Sequence, residues 1–234
     1  MRWLTYTRGE LWRRPWNMTL VTLLAAVPLC TAQTLQKGIS VQLAATRNAV
    51  AMPDADREHA VIVAVTHNGD VYLGIDPITP AALAEKRSLA GRTEGKLYVK
   101  ADARTPYADV MKVLGAVRTA GVTAPKLLTG QQAAPQPSRP VPPYGLEVRV
   151  GPPLPSARES TVVQMLKSEH GSPMLKINNR EVSWEMLRSR LRQSPRQNSF
   201  LVEADGVLPF SVVVRLIDVC RSTGADVFLG TPAT

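Results

Sequence analysis

Several residue types are scarce in this chain of 234 residues, and each shortage excludes a class of protein. Two cysteines, Cys30 and Cys220, are too few for a scaffold held together by disulfides. Only three histidines are present and no Cys-x-x-Cys spacing occurs, which excludes a zinc finger. No uncharged apolar run reaches about 18 residues, so the chain is not a polytopic membrane protein.

Motifs of catalysis are missing as well. The chain has no glycine-rich phosphate loop, no Gly-x-Ser-x-Gly elbow and no His-Glu-x-x-His helix. His59, His67 and His170 fall in predicted loops or turns without a second ligand nearby, which favours exposed turn residues over metal ligands. Asp102 and Asp205 each lie between a predicted strand and a predicted helix, where an aspartate usually fixes the turn through backbone hydrogen bonds. We therefore predict no catalytic residue, no metal site and no cofactor.

Basic residues are in excess, with 28 Lys and Arg against 19 Asp and Glu, a formal charge of +9. Such an excess raises the question of nucleic acid, because an arginine cluster can bind phosphates. The arginine cluster of this chain lacks aromatic residues for base stacking, so a solvated helix face is favoured over a nucleic-acid site. Anionic lipid head groups or cell-wall polymer are better partners for it than nucleic acid. The cluster lies around the end of a helix predicted over 184–193 and consists of Arg188, Arg190, Arg192 and Arg196.

The N-terminal segment combines a basic front with an apolar stretch. Four arginines within residues 1–17 precede an apolar run from Met18 to Cys30. This pattern fits a secretory signal peptide cleaved after Ala32. It also fits a short membrane anchor, because positive flanks keep that end of the chain in the cytoplasm. Residues 18–32 are therefore either a signal peptide or a retained anchor.

A proline-rich segment divides the rest of the chain. Residues 131–143 contain five prolines and no regular periodicity, which is typical of an extended linker. The flanking blocks, 37–130 and 144–234, repeat each other at an offset of 103 positions. Between 97–128 and 200–231, identical residues occur at Val99/Val202, Ala101/Ala204, Asp102/Asp205, Pro106/Pro209, Val110/Val213, Arg118/Arg221 and Gly121/Gly224.

The repeated stretch predicts a strand followed by an amphipathic helix in both copies. In the first copy, Pro106 fits the first position of a helix over 106–120, and Thr105 fits its cap. Gly121 fits the left-handed residue that ends this helix. The predicted buried faces are Val110, Val113, Leu114 and Val117 in the first copy, and Val213, Leu216, Ile217 and Cys220 in the second.

Each block also predicts a hairpin and a short helix before the repeated stretch. The hairpin turns lie at 67–70 and around 170–171, and the short helices begin at Pro80 and Trp184, capped by Thr79 and Ser183. We therefore predict an α+β fold of two tandem small mixed-sheet domains, each ordered ββαβαβ with helices on one face. Alternation of Ile39, Val41 and Leu43 predicts a further strand before the first domain.

Three motifs follow one another between residues 27 and 129: K-G-x-x-V-x-L from Lys37, N-G-x-V-Y from Asn68, and A-D-x-x-x-P-Y-x-x-V-M from Ala101, followed by A-G. In this order they resemble the ExbD/TolR family of biopolymer transport proteins. The second block resembles the same domain with fewer matches. The motif positions, for which we expect structural roles, are Gly69, Tyr72, Asp102, Pro106, Tyr107, Gly121, Asp205, Pro209 and Gly224.

The resemblance implies an accessory subunit of an inner-membrane energy-transduction complex for TonB- or Tol-type transport. Its N-terminus would lie in the cytoplasm and its domains in the periplasm. The implied partners are an ExbB/TolQ-like channel protein, a TonB/TolA-like periplasm-spanning protein, and a second copy or another ExbD-like subunit, with peptidoglycan as a further contact. The alternative is an exported, soluble periplasmic binding module for a protein or a cell-wall ligand.

The chain departs from the family pattern in its apolar segment. The transmembrane helix of the family carries an aspartate that takes up the proton, and a lone carboxylate in lipid is costly enough to imply function. No Asp or Glu lies between Asn17 and Cys30. The resemblance therefore does not extend to direct proton coupling. The chain would either work beside a normal ExbD-like partner or have kept only the domain.

Overall fold

The computed structural model describes residues 37–86, 89, 97–131, 142–151, 160–169, 171–193 and 199–230. All of them lie in one compact unit, residues 32–234. The described residues form mixed sheets and α-helices, which confirms the predicted α+β class. The N-terminal segments, 1–17 and 18–32, lie outside the described residues, as do His170 and Arg196.

The first sheet contains eight strands. They are β1 (Ala45–Thr46), β2 (Val50–Ala51), β3 (Val61–Val65), β4 (Val71–Leu73), β5 (Asp76–Pro77), β6 (Leu97–Ala101), β7 (Lys126–Gln131) and β8 (Tyr144–Glu147). Their order is β2-β8-β7-β6-β3-β4-β5, and β1 also pairs with β7. Strands β3, β6 and β7 run parallel at the centre, and β4 and β8 flank them antiparallel.

The second sheet contains six strands and repeats this centre. They are β9 (Arg149–Val150), β10 (Thr161–Leu166), β11 (Met174–Ile177), β12 (Arg180–Val182), β13 (Ser199–Ala204) and β14 (Asp226–Gly230). Their order is β12-β11-β10-β13-β14-β9. The parallel strands β10, β13 and β14 correspond to β3, β6 and β7 of the first sheet.

Four α-helices accompany the sheets in the part of the chain that the structure describes: α1 (Pro80–Glu85), α2 (Tyr107–Thr119), α3 (Trp184–Gln193) and α4 (Phe210–Arg221). The predicted start of α1 is confirmed, because Thr79 Oγ1 accepts a hydrogen bond from Ala82 N at 3.2 Å. The predicted helix over 184–193 is confirmed as α3. Within the described ranges, no helix has the length and apolar character needed to cross a membrane.

The compact unit has two halves: the first contains the first sheet with α1 and α2, and the second contains the second sheet with α3 and α4. One apolar core joins them. The predicted faces of α2 and α4 are buried in it, with Val110, Leu114, Val213 and Ile217 all fully inaccessible. Burial of each such side chain contributes about 1.5–3 kcal/mol. Cys220 belongs to the same core, as predicted, and burial raises the pKa of its thiol to about 12.

The face of the first sheet that points away from this core buries a lysine. Lys100 on β6 is 1% exposed, and its Nζ donates a hydrogen bond to the carbonyl of Lys37 at 2.9 Å. Burial lowers the pKa of Lys100, and the nearby Asp56 carboxylate opposes this shift. The second sheet has Glu203 at the corresponding position, where its carboxylate accepts a hydrogen bond from Gln164 at 2.9 Å.

The strand predicted from Ile39, Val41 and Leu43 is wrong. Leu43 forms an isolated bridge with Asp102, and pairing with β7 begins only at Ala45. The residues before it are held by contacts with loops. Lys37 donates to carbonyls in the 57–60 loop, and the carbonyl of Gln42 accepts from Ala103 N at 2.7 Å.

The chain passes from the first sheet to the second at Val148. Strand β8 ends at Glu147 and β9 begins at Arg149, so the residues after the proline-rich segment contribute to both sheets. The carbonyl of Pro143 accepts a hydrogen bond from Met52 N at 2.6 Å. Residues 132–141 lie outside the described residues, and the division into 37–130, 131–143 and 144–234 stays a prediction.

Candidate functional site

Five of the nine motif positions meet at one junction between the two halves: Asp102, Pro106, Tyr107, Asp205 and Pro209. Strands β6 and β13 end at Ala101 and Ala204, and Asp102 and Asp205 begin the short loops that lead into α2 and α4. The two loops lie against each other, and Pro106 and Pro209 face each other in an isolated antiparallel bridge. The repeated motif therefore forms the contact between the halves, which we call the junction.

Each loop at the junction caps the helix of the other half. The first amides of an α-helix have no partner within the helix and need acceptors from elsewhere. Here backbone carbonyls of the opposite loop supply them. The four hydrogen bonds are Tyr107 N to Leu208 O (2.8 Å), Ala108 N to Gly206 O (2.9 Å), Phe210 N to Thr105 O (2.8 Å) and Ser211 N to Ala103 O (2.9 Å).

The predicted cap of α2 is therefore wrong. The helix begins at Tyr107, and Pro106 is the N-cap residue, with ψ of 136° and no side-chain hydrogen bond. Thr105 does not cap the helix, because its hydroxyl donates to the carbonyl of Thr66 at 2.8 Å. Pro209 takes the same position before α4, with ψ of 138°. Sequence periodicity could not reveal this arrangement, because the acceptors come from the other half.

Asp102 organises the loop of the first half. Its carboxylate accepts hydrogen bonds from the backbone amides of Arg104 and Gln42, both at 3.1 Å. It also accepts two from the Arg104 guanidinium, at 2.8 and 2.9 Å. The Arg104 side chain is the largest cause that lowers the pKa of Asp102 to about 2. In the second loop, Asp205 accepts from Val207 N at 3.3 Å, and Val207 stands at the position of Arg104.

Tyr107 spans the junction. Its side chain is fully buried, and its hydroxyl donates to the carbonyl of Gly230, at the end of β14 in the other half, at 3.1 Å. Burial raises the pKa of Tyr107 far above its ordinary value, and the charge of Glu203 adds to this shift. The corresponding residue of α4 is Phe210, which has no hydroxyl group.

The remaining motif positions lie outside the junction, three of them in turns and one on a strand. Gly69 adopts φ of +86° in the turn between β3 and β4, a conformation that favours glycine. Gly121 and Gly224, with φ of +97° and +83°, follow the last turns of α2 and α4. Tyr72 is half-buried on β4 and pairs with Ala64 of β3.

A second contact between the halves, which sequence reasoning missed, is made by Asp218 on α4. Its carboxylate accepts hydrogen bonds from the backbone amides of Arg47 at 3.1 Å and Asn48 at 2.9 Å, and from Asn48 Nδ2 at 3.0 Å. The side chain is 6% exposed. The sequence signal for this contact is an aspartate that directly follows Ile217, beside the apolar face of α4.

The titratable groups of the junction are suited to fixed packing and not to proton transfer. Asp102 stays ionised and Tyr107 stays protonated throughout the neutral range, because their pKa values are shifted away from it. Across the described ranges, no group of three or more His, Cys, Asp or Glu residues could hold a metal ion. His59 and His67 are exposed turn residues, as predicted, and Arg188, Arg190 and Arg192 are exposed on α3.

Comparison with family models gives one match. Residues 18–132 match the model described as biopolymer transport protein ExbD/TolR. Comparisons with curated proteins and with solved structures gave no match. The matched region includes the apolar N-terminal segment and the first half of the compact unit, with its loop of the junction.

Proposed function

Because residues 18–132 belong to the ExbD/TolR family of biopolymer transport proteins, we propose that this chain is an accessory subunit of an inner-membrane energy-transduction complex. It acts through periplasmic protein–protein contacts and not by catalysis. The family match carries this proposal, since it joins the apolar segment to the folded region that follows it. Members of this family serve as transport accessory proteins.

The proposed topology is a single membrane pass with the N-terminus in the cytoplasm. Arginines at positions 2, 8, 13 and 14 precede the apolar segment, and positive flanks of this kind stay on the cytoplasmic side. The compact unit that follows would then lie in the periplasm.

The proposed partners are those with which the family generally works. An ExbB/TolQ-like channel protein would contact the anchor, and a TonB/TolA-like protein would contact the compact unit. A second copy of the chain, or another ExbD-like subunit, would complete the complex, with peptidoglycan as a further contact. The fixed packing of the junction supports a contact role, because it holds the two halves in one arrangement.

Direct proton coupling is not part of this proposal. The segment from Asn17 to Cys30 holds no Asp or Glu that could take up a proton within the membrane. We propose that a second, ExbD-like subunit with such a carboxylate would carry the proton, while this chain contributes its periplasmic unit.

Co-purification tests the proposal. The tagged full chain is co-expressed in a Gram-negative host with the ExbB/TolQ-like and ExbD-like proteins of its own organism, and purified from solubilised membranes. We expect the channel protein to co-purify at a constant ratio. The matched control replaces residues 1–32 with a cleavable signal peptide, which delivers the same compact unit without the apolar segment. A full chain that resides in the membrane but brings down neither partner would refute the proposal.

A soluble periplasmic binding module is the second candidate. The missing carboxylate favours it, and so do the small residues from Cys30 to Ala32, which fit a cleavage site. A mature product beginning at Gln33 would support this candidate over the membrane subunit.

A further inference from the structure

The junction contains the same contacts twice, in opposite directions. The amide of Tyr107 donates to the carbonyl of Leu208, and the amide of Phe210 donates to the carbonyl of Thr105, both at 2.8 Å. Tyr107 corresponds to Phe210, and Thr105 to Leu208, at the offset of 103 positions. Exchanging the two halves therefore converts each of these hydrogen bonds into the other.

The second pair of bonds follows the same exchange. The amide of Ala108 donates to the carbonyl of Gly206, and the amide of Ser211 donates to the carbonyl of Ala103, both at 2.9 Å. Ala103 corresponds to Gly206, and Ala108 to Ser211. In a twofold dimer the same patch of each subunit contacts its equivalent in this reciprocal way. The junction therefore has the symmetry of a contact between two subunits, although both sides belong to one chain.

Pro106 and Pro209 lie at the centre of this symmetry. They correspond at the same offset, and each is the bridge partner of the other. The hydrogen bonds join their neighbours, so the prolines form the non-hydrogen-bonded pair of an antiparallel contact, where no N–H group is needed. In both loops the proline is exposed, and the residues before and after it are buried.

The first loop is suited to face a copy of itself. The four bonds of the junction use backbone atoms alone, which any residue supplies. Ala103 already lies opposite Ser211, so the smaller Ala108 of a second copy would also fit there. The charges of Asp102 and Arg104 are paired within their own loop, which prevents repulsion between two such loops.

We propose that the junction is a dimer interface contained in one chain. The second half occupies the surface with which the first half would bind a second copy of itself. One copy of the chain thus supplies two halves in a fixed twofold arrangement, and no other copy binds through this surface, because its donors and acceptors are already paired. A contact with another copy, or with an ExbD-like subunit, uses a different surface. This inference goes beyond the proposed function, since it concerns the compact unit alone.

Cysteines at the two prolines test where the contact forms. The full chain is purified in detergent with Cys30→Ser, and Cys220 is kept because it is fully buried. Pro106→Cys and Pro209→Cys together place two thiols on a pair whose Cα atoms lie about 4.5 Å apart, within the range of a disulfide. Under mild oxidation we expect an intrachain disulfide, detected by intact mass. Pro106→Cys alone should give no covalent dimer.

A symmetric variant tests whether the first loop fits its own copy. Val207→Arg, Leu208→Thr and Phe210→Tyr give the second loop the Arg-Thr-Pro-Tyr sequence of the first. Gly206 is kept, because a Cβ atom there would lie 2.8 Å from the Cβ of Ala108. We expect this variant to lower the melting temperature by less than about 5 °C, and to form the same intrachain disulfide when the two cysteines are added.

The small effect is expected because the new hydroxyl groups have acceptors. In the first half, Thr105 donates to the carbonyl of Thr66, and Tyr107 donates to the carbonyl of Gly230. By strand register, backbone carbonyls stand at the corresponding places of the other half, at Leu166 and Leu128.

The matched control carries the same three new residues in a different order: Val207→Tyr, Leu208→Arg and Phe210→Thr. It introduces a charge at the buried position of Leu208 and removes the buried ring of Phe210. We expect the melting temperature to fall by more than about 10 °C and the disulfide to be lost.

An intrachain disulfide in the original and symmetric backgrounds, with no covalent dimer of Pro106→Cys, supports the proposal. Covalent dimers of that single variant, or interchain disulfides in the double variant, would show that the surface is open to a second copy. A double variant that forms no disulfide, or a symmetric variant as damaged as its control, would show that the junction is not a twofold interface. These measurements require neither partner proteins nor membrane retention, so failure here is distinguishable from failure of the proposed function.

Discussion

At the scale of single residues, the carboxylate of Asp102 holds the first loop of the junction through hydrogen bonds to the Arg104 amide and guanidinium. Its folded pKa of about 2 lies below the ordinary value of 3.8. A depressed pKa means stability that is present above about pH 4 and lost as the pH falls towards about 2. Because Arg104 is largely exposed and solvent screens its charge, we expect Asp102→Asn to lower the unfolding free energy by about 1–2 kcal/mol at pH 7.

Urea unfolding followed by circular dichroism, from about pH 7 to pH 3, measures this effect. The difference between the original chain and Asp102→Asn should shrink as the pH falls below about 4. Asp205→Asn is the matched control, since its carboxylate makes a longer hydrogen bond, 3.3 Å, to Val207. Equal losses for the two variants would show that the Arg104 pair does not stabilise the loop.

Two glycines of the first half should respond to alanine in opposite directions. Gly115 lies inside α2 with open space around it, so Gly115→Ala should stabilise the fold by about 0.5–1 kcal/mol through helix propensity. Gly121 has φ of +97°, and Gly121→Ala should destabilise it by about 1–2 kcal/mol. Thermal unfolding of both variants tests this pair, and a stabilising Gly121→Ala would be incompatible with the left-handed helix end.

At the scale of elements, the junction depends on close packing between one loop and one helix. A Cβ atom at Gly206 would lie 2.8 Å from the Cβ of Ala108, in the first turn of α2. We expect Gly206→Ala to destabilise the fold by about 1–3 kcal/mol through this overlap. Combining it with Ala108→Gly should recover at least about 1 kcal/mol in a double-mutant cycle. Strictly additive effects would mean that the loop and helix do not touch.

Elements set by local chemistry could be predicted from the sequence. The hairpin at Gly69, the cap at Thr79 and the apolar face around Val113 each depend on residues a few positions apart, and the structure has all three. Helix α3 has the predicted bounds, and Ser183 lies at its predicted cap, where its hydroxyl oxygen accepts a hydrogen bond from Met186 N at 3.4 Å.

Elements set by distant contacts could not be predicted in this way. The acceptors that cap α2 and α4 are backbone carbonyls, which every residue carries, so no residue type marks them. The pairing of β8 with β7 depends on where the chain returns after residues 132–141, which periodicity does not encode.

At the scale of the whole molecule, the shared core and the reciprocal caps predict cooperative unfolding of the two halves. Val110 and Val213 are fully buried at corresponding positions of α2 and α4. We expect Val110→Ala and Val213→Ala each to cost about 1–3 kcal/mol and to shift one common transition. Calorimetry of both variants measures this. Two separate transitions, each shifted by one variant alone, would show that the halves unfold independently.

The membrane subunit proposal is tested most directly by the fate of the apolar segment. The full chain is expressed in a Gram-negative host, membranes are separated from the periplasm and washed with carbonate, and the intact mass of the product is determined. The proposal predicts the full-length mass of 25.5 kDa in the washed membranes. A soluble periplasmic product that begins at Gln33 would contradict it.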